Sequence, residues 1–160
     1  MSRVIKQNLE TSGMALSVPF QKNRIMDKNR ILVNVTWEDN YGAWCDALPG
    51  CVATHQTLEG LKKNMRSGVK FHLEGMREDG DEIPQEFQGE YELVFRLNVK
   101  AVMQKYKGIL THTGMERLTG IDRRQIQQYA SGLHKPFPMQ RKKIEGALHT
   151  LGRELLEVEL

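Results

Sequence analysis

The apolar residues of this chain change period twice and then stop alternating, and that order limits the folds open to it. In "ILVNVTWE", Ile31, Val33, Val35 and Trp37 alternate with Leu32, Asn34 and Thr36, the period of a half-buried strand. "EDNYG" reads as a turn, "YGAWCDAL" as a second strand forming a hairpin with the first, and "CVATH" as a third beyond a Pro49-Gly50 corner. Thr57 then suits a helix N-cap, with Glu59 in the first turn near the positive end of the helix dipole. Leu58, Leu61, Met65, Val69, His72, Leu73 and Met76 recur at helical spacing, so one face of roughly twenty residues is apolar. Gly80, Pro84 and the acids around them end that helix. "YELVFRLNV" returns to alternation, with Tyr91, Leu93, Phe95, Leu97 and Val99 on one side. The order βββαβ predicts a compact α+β unit whose helix covers one face of the sheet.

Asn98 can cap a new helix, "VKAVMQKYKG", and everything after it reads as helical. The chain therefore divides into a mobile basic tail at 1–28, an α+β domain at 29–97 and an all-α domain at 98–160. Met14 and Met26 are alternative starts within the tail. Charge follows the same division. Residues 1–30 carry six basic and two acidic side chains, residues 31–90 five and eleven, and residues 91–160 twelve and seven. An acidic middle and a basic end suggest modules with different partners, the basic one suited to a polyanion. No apolar run is long enough to span a bilayer, and the first thirty residues hold no signal-like apolar core, so a cytoplasmic protein is expected. Cys45 and Cys51 have neither redox-pair nor zinc-site spacing. They read as reduced, half-buried thiols, bridged only if facing strands bring them together.

In "GMERLTGIDRRQIQQYASGLHKPFP", residues 114–138, Met115 and Leu118 face inward on a short helix and Gly120 supplies a turn. Asp122 caps the next helix, whose Ile126 and Tyr129 face back into the core. A turn glycine, Ile121 just after it and Ile126 five further on give the spacing of a helix-turn-helix. Arg123, Arg124, Gln125, Gln127 and Gln128 are left outward, and such side chains match guanine and adenine edges in the major groove. Lys135, in the loop beyond, suits a phosphate. A closing helix, "PMQRKKIEGALHTLGREL", packs back through Ile144, Leu148, Leu151 and Leu155. The module is similar to the lambda-repressor-like (Xre-type) helix-turn-helix family, including a Gly-x-x-x-Pro close in "SGLHKP". Glu116 departs from it, standing where a small residue is usual.

The run "YGAWCDALPGCVATHQTLEGLKKNM" resembles the signature of HicB-type antitoxins: an aromatic strand, a "D-x-LPGC" corner, a short strand and a Thr-capped helix. "HQT" replaces the usual Gly-Asp-Thr, and Gly60 replaces a more common Ala. With the helices behind it, the resemblance covers residues from about 30 to 158. It implies a degraded, partial RNase H-like domain that binds and blocks a small basic HicA-type toxin, an mRNA-cleaving ribonuclease, and a helix-turn-helix domain that represses the chain's own operon. The antitoxin would bind operator double-stranded DNA as a homodimer or higher even oligomer, because one helix-turn-helix reads one half-site.

No catalytic set is legible. RNase H-like nucleases hold two metal ions with converging carboxylates, whereas the first strand here lacks an interior acid and Glu38 and Asp39 lie at its turn. Asp46 and Glu59 do not make a site, so the corner is expected to hold shape. His55, His72, His112, His134 and His149 lack metal spacing, and His72, on the apolar helix face, reads as a core histidine. No cofactor, metal or membrane partner is implied, and the protein is not expected to be an enzyme. The expected toxin contacts are Trp44 or Trp37, each of which fits the core equally well, Asp46, and the acids Asp79 and Asp81. The acidic run that holds the last two reads most simply as a solvated loop and, in a second reading, attracts a basic partner. Two rivals stay open: a ligand-sensing transcriptional repressor without a toxin, and an active ribonuclease with a DNA-binding tail.

Overall fold

The computed structural model describes residues 28–160. The tail read at 1–28, with Met14 and Met26, lies outside them except for Lys28, which pairs with Glu90.

The strands are β1 (Asn29–Trp37), β2 (Tyr41–Cys45), β3 (Val52–His55) and β4 (Tyr91–Leu97), in spatial order β3-β2-β1-β4. The first three are antiparallel, and β4 adds parallel to β1. That parallel pairing needs a crossover, supplied by α1 (Leu58–Asp79) and a single 3-10 turn (Gln85–Phe87). Thr57 caps α1 by accepting from the Gly60 N–H at 3.1 Å, and Gly80 ends it in the left-handed region at φ 77°. Leu58, Leu61, Met65, Val69 and Leu73 are buried against Ile31, Val33, Val35, Ala43 and Cys45 of the sheet. Each such aliphatic chain contributes about 1.5–3 kcal/mol when removed from water.

Three local readings are corrected. β2 ends at Cys45, not at Leu48, because two successive turns follow: the Leu48 N–H donates to Cys45 O and the Cys51 N–H to Leu48 O, both at 3.1 Å. These turns drop Leu48 into the core. Val99 does not continue β4: the Asn98 side chain accepts from the Ala101 N–H at 2.8 Å and starts a helix, so Val99 faces a second core. Leu155 does not pack back on the closing helix; it is 62% exposed, beyond the reach of the core that holds Ile144 and Leu148.

Four helices follow β4: α2 (Val99–Lys105), α3 (His112–Thr119), α4 (Arg123–Ser131) and α5 (Pro138–Leu156). They enclose a cluster of Val99, Met103, Met115, Ile121, Ile126, Tyr129 and Ile144. The boundary read at 97–98 thus falls where a single residue, Asn98, separates β4 from α2. Ala101 of α2 belongs to the sheet core while Val99 and Met103 belong to the helical one. Lys100 and Lys105 reach back to Glu38 and Glu59, each at 2.6 Å. The fold is therefore mixed α+β, a four-stranded sheet with one covering helix and a four-helix cluster joined through α2. Among the described residues, no helix is long and apolar enough to cross a membrane.

Candidate functional site

Strand alternation sends Ile31, Val33 and Val35 under α1 and leaves the opposite parity on the other face. Cross-strand register then aligns one outward residue from each strand in a row: Val52, Trp44, Asn34 and Arg96. The side chains of that row are wired together. Asn34 Nδ2 donates to Asp46 Oδ2 at 2.9 Å, and Trp44 Nε1 donates to Asp46 Oδ1 at 3.1 Å. Arg96 donates to Asn34 Oδ1 through Nη2 at 2.6 Å and Nε at 3.2 Å. Trp44 is 40% and Val52 70% exposed, and Leu32 lies exposed beside them. Asp46 also borders an open groove of about 750 Å³, lined by Arg30, Leu32, Gln85, Glu86 and Arg96.

The two tryptophans lie on opposite faces of the sheet. Trp44 stands on the open side, whereas Trp37 packs at the core and meets the Tyr41 ring edge-on at 4.7 Å. Trp44 and Asp46 are brought together. Asp79 and Asp81 are not: both are exposed at the end of α1, in the layer on the other side of the sheet. Asn34 and Arg96 were missed in the sequence, although their shared outward parity on β1 and β4 was a usable signal.

The acids near the corner have structural partners. Asp46 holds Trp44 and Asn34, Glu38 holds Lys100, and Glu59 holds Lys105. The hydrogen bond from Lys105 keeps the Glu59 carboxyl below its ordinary value, and Glu59 in turn raises the Lys105 ammonium. Among the described residues, no three His, Cys, Asp or Glu side chains gather as a metal set. Cys45 and Cys51 are free and buried, and desolvation raises both thiols, which makes them poor nucleophiles. His72 is half-buried beside the corner, 3.8 Å from where a Gly50 Cβ would stand.

In the helical cluster, Gly120 turns the chain at φ 64° between α3 and α4. Asp122 accepts from the Arg124 N–H at 2.8 Å, and Glu116 from the Arg123 N–H at 3.1 Å, so α3 caps α4. Ile126 and Tyr129 are buried; Arg123, Arg124, Gln127 and Gln128 are exposed on the far side. Gln125, expected outward with them, is half-buried. Lys135 is exposed in the loop after α4.

This arrangement defines an α+β protein with one open sheet face and one basic helical surface. No family model matches the chain, and no solved structure matches it. A 46-residue stretch is 37% identical to an uncharacterized 14.9 kDa protein of the rep-hol intergenic region of Haemophilus phage HP1. The match covers 29% of this chain and 35% of the phage protein, so it spans about a third of that relative's length.

Proposed function

We propose that this chain is a two-part repressor antitoxin of the HicB type. Its open sheet face docks a small basic ribonuclease toxin of the HicA type and inhibits it by occlusion; α3 and α4 act as a helix-turn-helix that reads operator DNA as a symmetric dimer. The observation that carries the first half is the row Val52–Trp44–Asn34–Arg96 with Asp46. It combines exposed apolar surface with polar groups already fixed in place, and each side chain ordered beforehand saves about 0.5–1.5 kcal/mol of binding entropy. The strand order, three antiparallel and one parallel, is compatible with a partial RNase H-like sheet. The acidic excess of residues 31–90 favours a basic partner.

The second half rests on α4. Its inner residues are buried, its first turn is capped from two sides, and Arg123 and Arg124 stand outward at its start, where recognition helices meet bases, with Gln127 and Gln128 outward in its middle. A gel shift with the promoter-proximal DNA of the chain's own operon tests it. Sequence-specific retardation is the expected result, and binding no tighter than to scrambled DNA would refute it.

A second reading, a ligand-sensing repressor, draws on a cleft of about 470 Å³ lined by Trp37, Lys100, Met103, Lys107 and His112, where the sheet meets the helices. A metabolite that changes operator affinity, with no effect of Trp44→Ala, would favour it.

A further inference from the structure

The two edges of the sheet are treated differently. β3 is only four residues long, packs against α1, and has its Thr54 carbonyl covered by Asn64 Nδ2 at 3.3 Å. β4 runs for seven residues, and among the described residues no strand pairs with its outer edge. The ladder fixes which backbone groups lie there. The Asn98 N–H donates to Val35 O and Glu90 O accepts from the Asn29 N–H, so even-numbered residues face β1. Tyr91, Leu93, Phe95 and Leu97 therefore direct their N–H and C=O groups outward. Their side chains lie on the α1 side, yet all four are only half-buried: the body of α1 packs on the β3–β2 half and reaches β4 only with Lys62 and Arg66 over the Phe95 ring. An open, apolar edge of this length is a template for another strand.

We infer that the occupant is β4 of a second copy, paired antiparallel about a two-fold axis through Val94 to give a continuous eight-stranded sheet. The strand's own sequence carries the argument. Tyr91–Leu97 is centred on Val94, so antiparallel self-pairing at that residue uses its whole length. On the open face, Glu92 of each copy then stands opposite Arg96 of the other. Both side chains are exposed, and Glu92 has no ion pair among the described residues. These are non-hydrogen-bonded positions, where facing side chains come closest. On the α1 side, Leu93 meets Phe95 and Tyr91 meets Leu97, extending each apolar row. Shifting the register by two residues sets Glu92 against Val94 or Asn98 and loses the charge match. The pairing does not require the antitoxin reading, though it shares Arg96, which donates to Asn34 Oδ1, with the Trp44 row; it names a dimer surface separate from α3 and α4.

Two variants of the full chain test it. Val94→Cys places a thiol beside its own copy on the axis, while Cys45 and Cys51 stay buried. Mild oxidation should give a disulfide-linked dimer on a non-reducing gel, and adding Glu92→Arg should reduce its yield at least tenfold. Glu92→Arg and Arg96→Glu chains, each weakened in self-association, should dimerise when mixed, since every facing pair is then of opposite charge. The inference is overturned if Val94→Cys stays uncrosslinked while the chain sediments as a dimer, which would place the interface elsewhere. It is equally overturned if the chain is monomeric, or if crosslinking requires removal of residues 1–27, which would make that segment the occupant.

Discussion

The imidazole of His55 lies over Gly60, and a methyl group at position 60 would fall inside the ring. His55 Nδ1 accepts from the Thr57 N–H at 3.0 Å and sits 3.1 Å from Thr57 Oγ1, the oxygen that caps α1. Both residues depart from the HicB-like pattern, and the departures are coupled: the ring occupies the space that an alanine would need. Gly60→Ala should therefore cost about 1–2 kcal/mol by expelling the ring and loosening the cap, despite alanine's better helix propensity. In the His55→Gly background the same change should be neutral or stabilising. Urea denaturation of the four proteins gives the coupling; additive effects would mean that the two positions do not compete.

The Glu59–Lys105 pair ties the first turn of α1 to α2, and its pH dependence has a definite sign. Glu59 is lowered from 4.5, so its contribution is present above the unfolded carboxylate value and is lost as pH falls through the folded one. Lys105 is raised from 10.5, so its contribution is present below the unfolded lysine value and is lost as pH rises through the folded one. The stability difference between the protein and Glu59→Gln should be largest between these limits and shrink toward both. A difference that stays constant into acid would contradict the pairing.

On the helical surface, Arg124→Ala and Gln127→Ala should each weaken specific operator binding by about 1–3 kcal/mol while leaving non-specific binding almost unchanged. Lys135→Ala should lower the slope of log K against log salt by about one and affect all sequences alike. Gel shifts at several salt concentrations separate the two behaviours. An unchanged slope would remove Lys135 from the phosphate contacts.

Asp79 and Asp81 stand apart from the Trp44 face, so any contribution they make is long-range. Reversing both charges should slow association with a basic toxin at low salt and leave dissociation unaltered. Stopped-flow mixing measures this directly, and equal association rates would end the steering role.

Much of this molecule was legible where a local rule acts alone. The alternation of Ile31, Val33 and Val35, the Thr57 cap and the stop at Gly80 each follow from a few adjacent residues, and each stands in the fold. Val99 was misread because alternation continues through it, while Asn98 also offers a cap; the cap and the second core decided. Leu155 fitted the helical period, but a period does not say where the neighbouring helices end. Glu116 stands where packed helices usually place a small residue, and its carboxylate caps the Arg123 N–H, a contact between residues seven apart. The Trp44–Asp46–Asn34–Arg96 row was hidden for a similar reason. It depends on the register among three strands, one of them 62 residues away in sequence, and register is a tertiary property.

The most direct test is to purify the tagged chain, expressed from its own locus, and its Trp44→Ala and Asp46→Ala variants, and to identify what comes with each. The antitoxin account predicts a stoichiometric small basic protein with the unaltered chain. That protein should cleave mRNA once the chain is removed, and both variants should lose it. Recovery of the unaltered chain alone, under conditions that preserve complexes, would contradict the account and favour the ligand-sensing repressor.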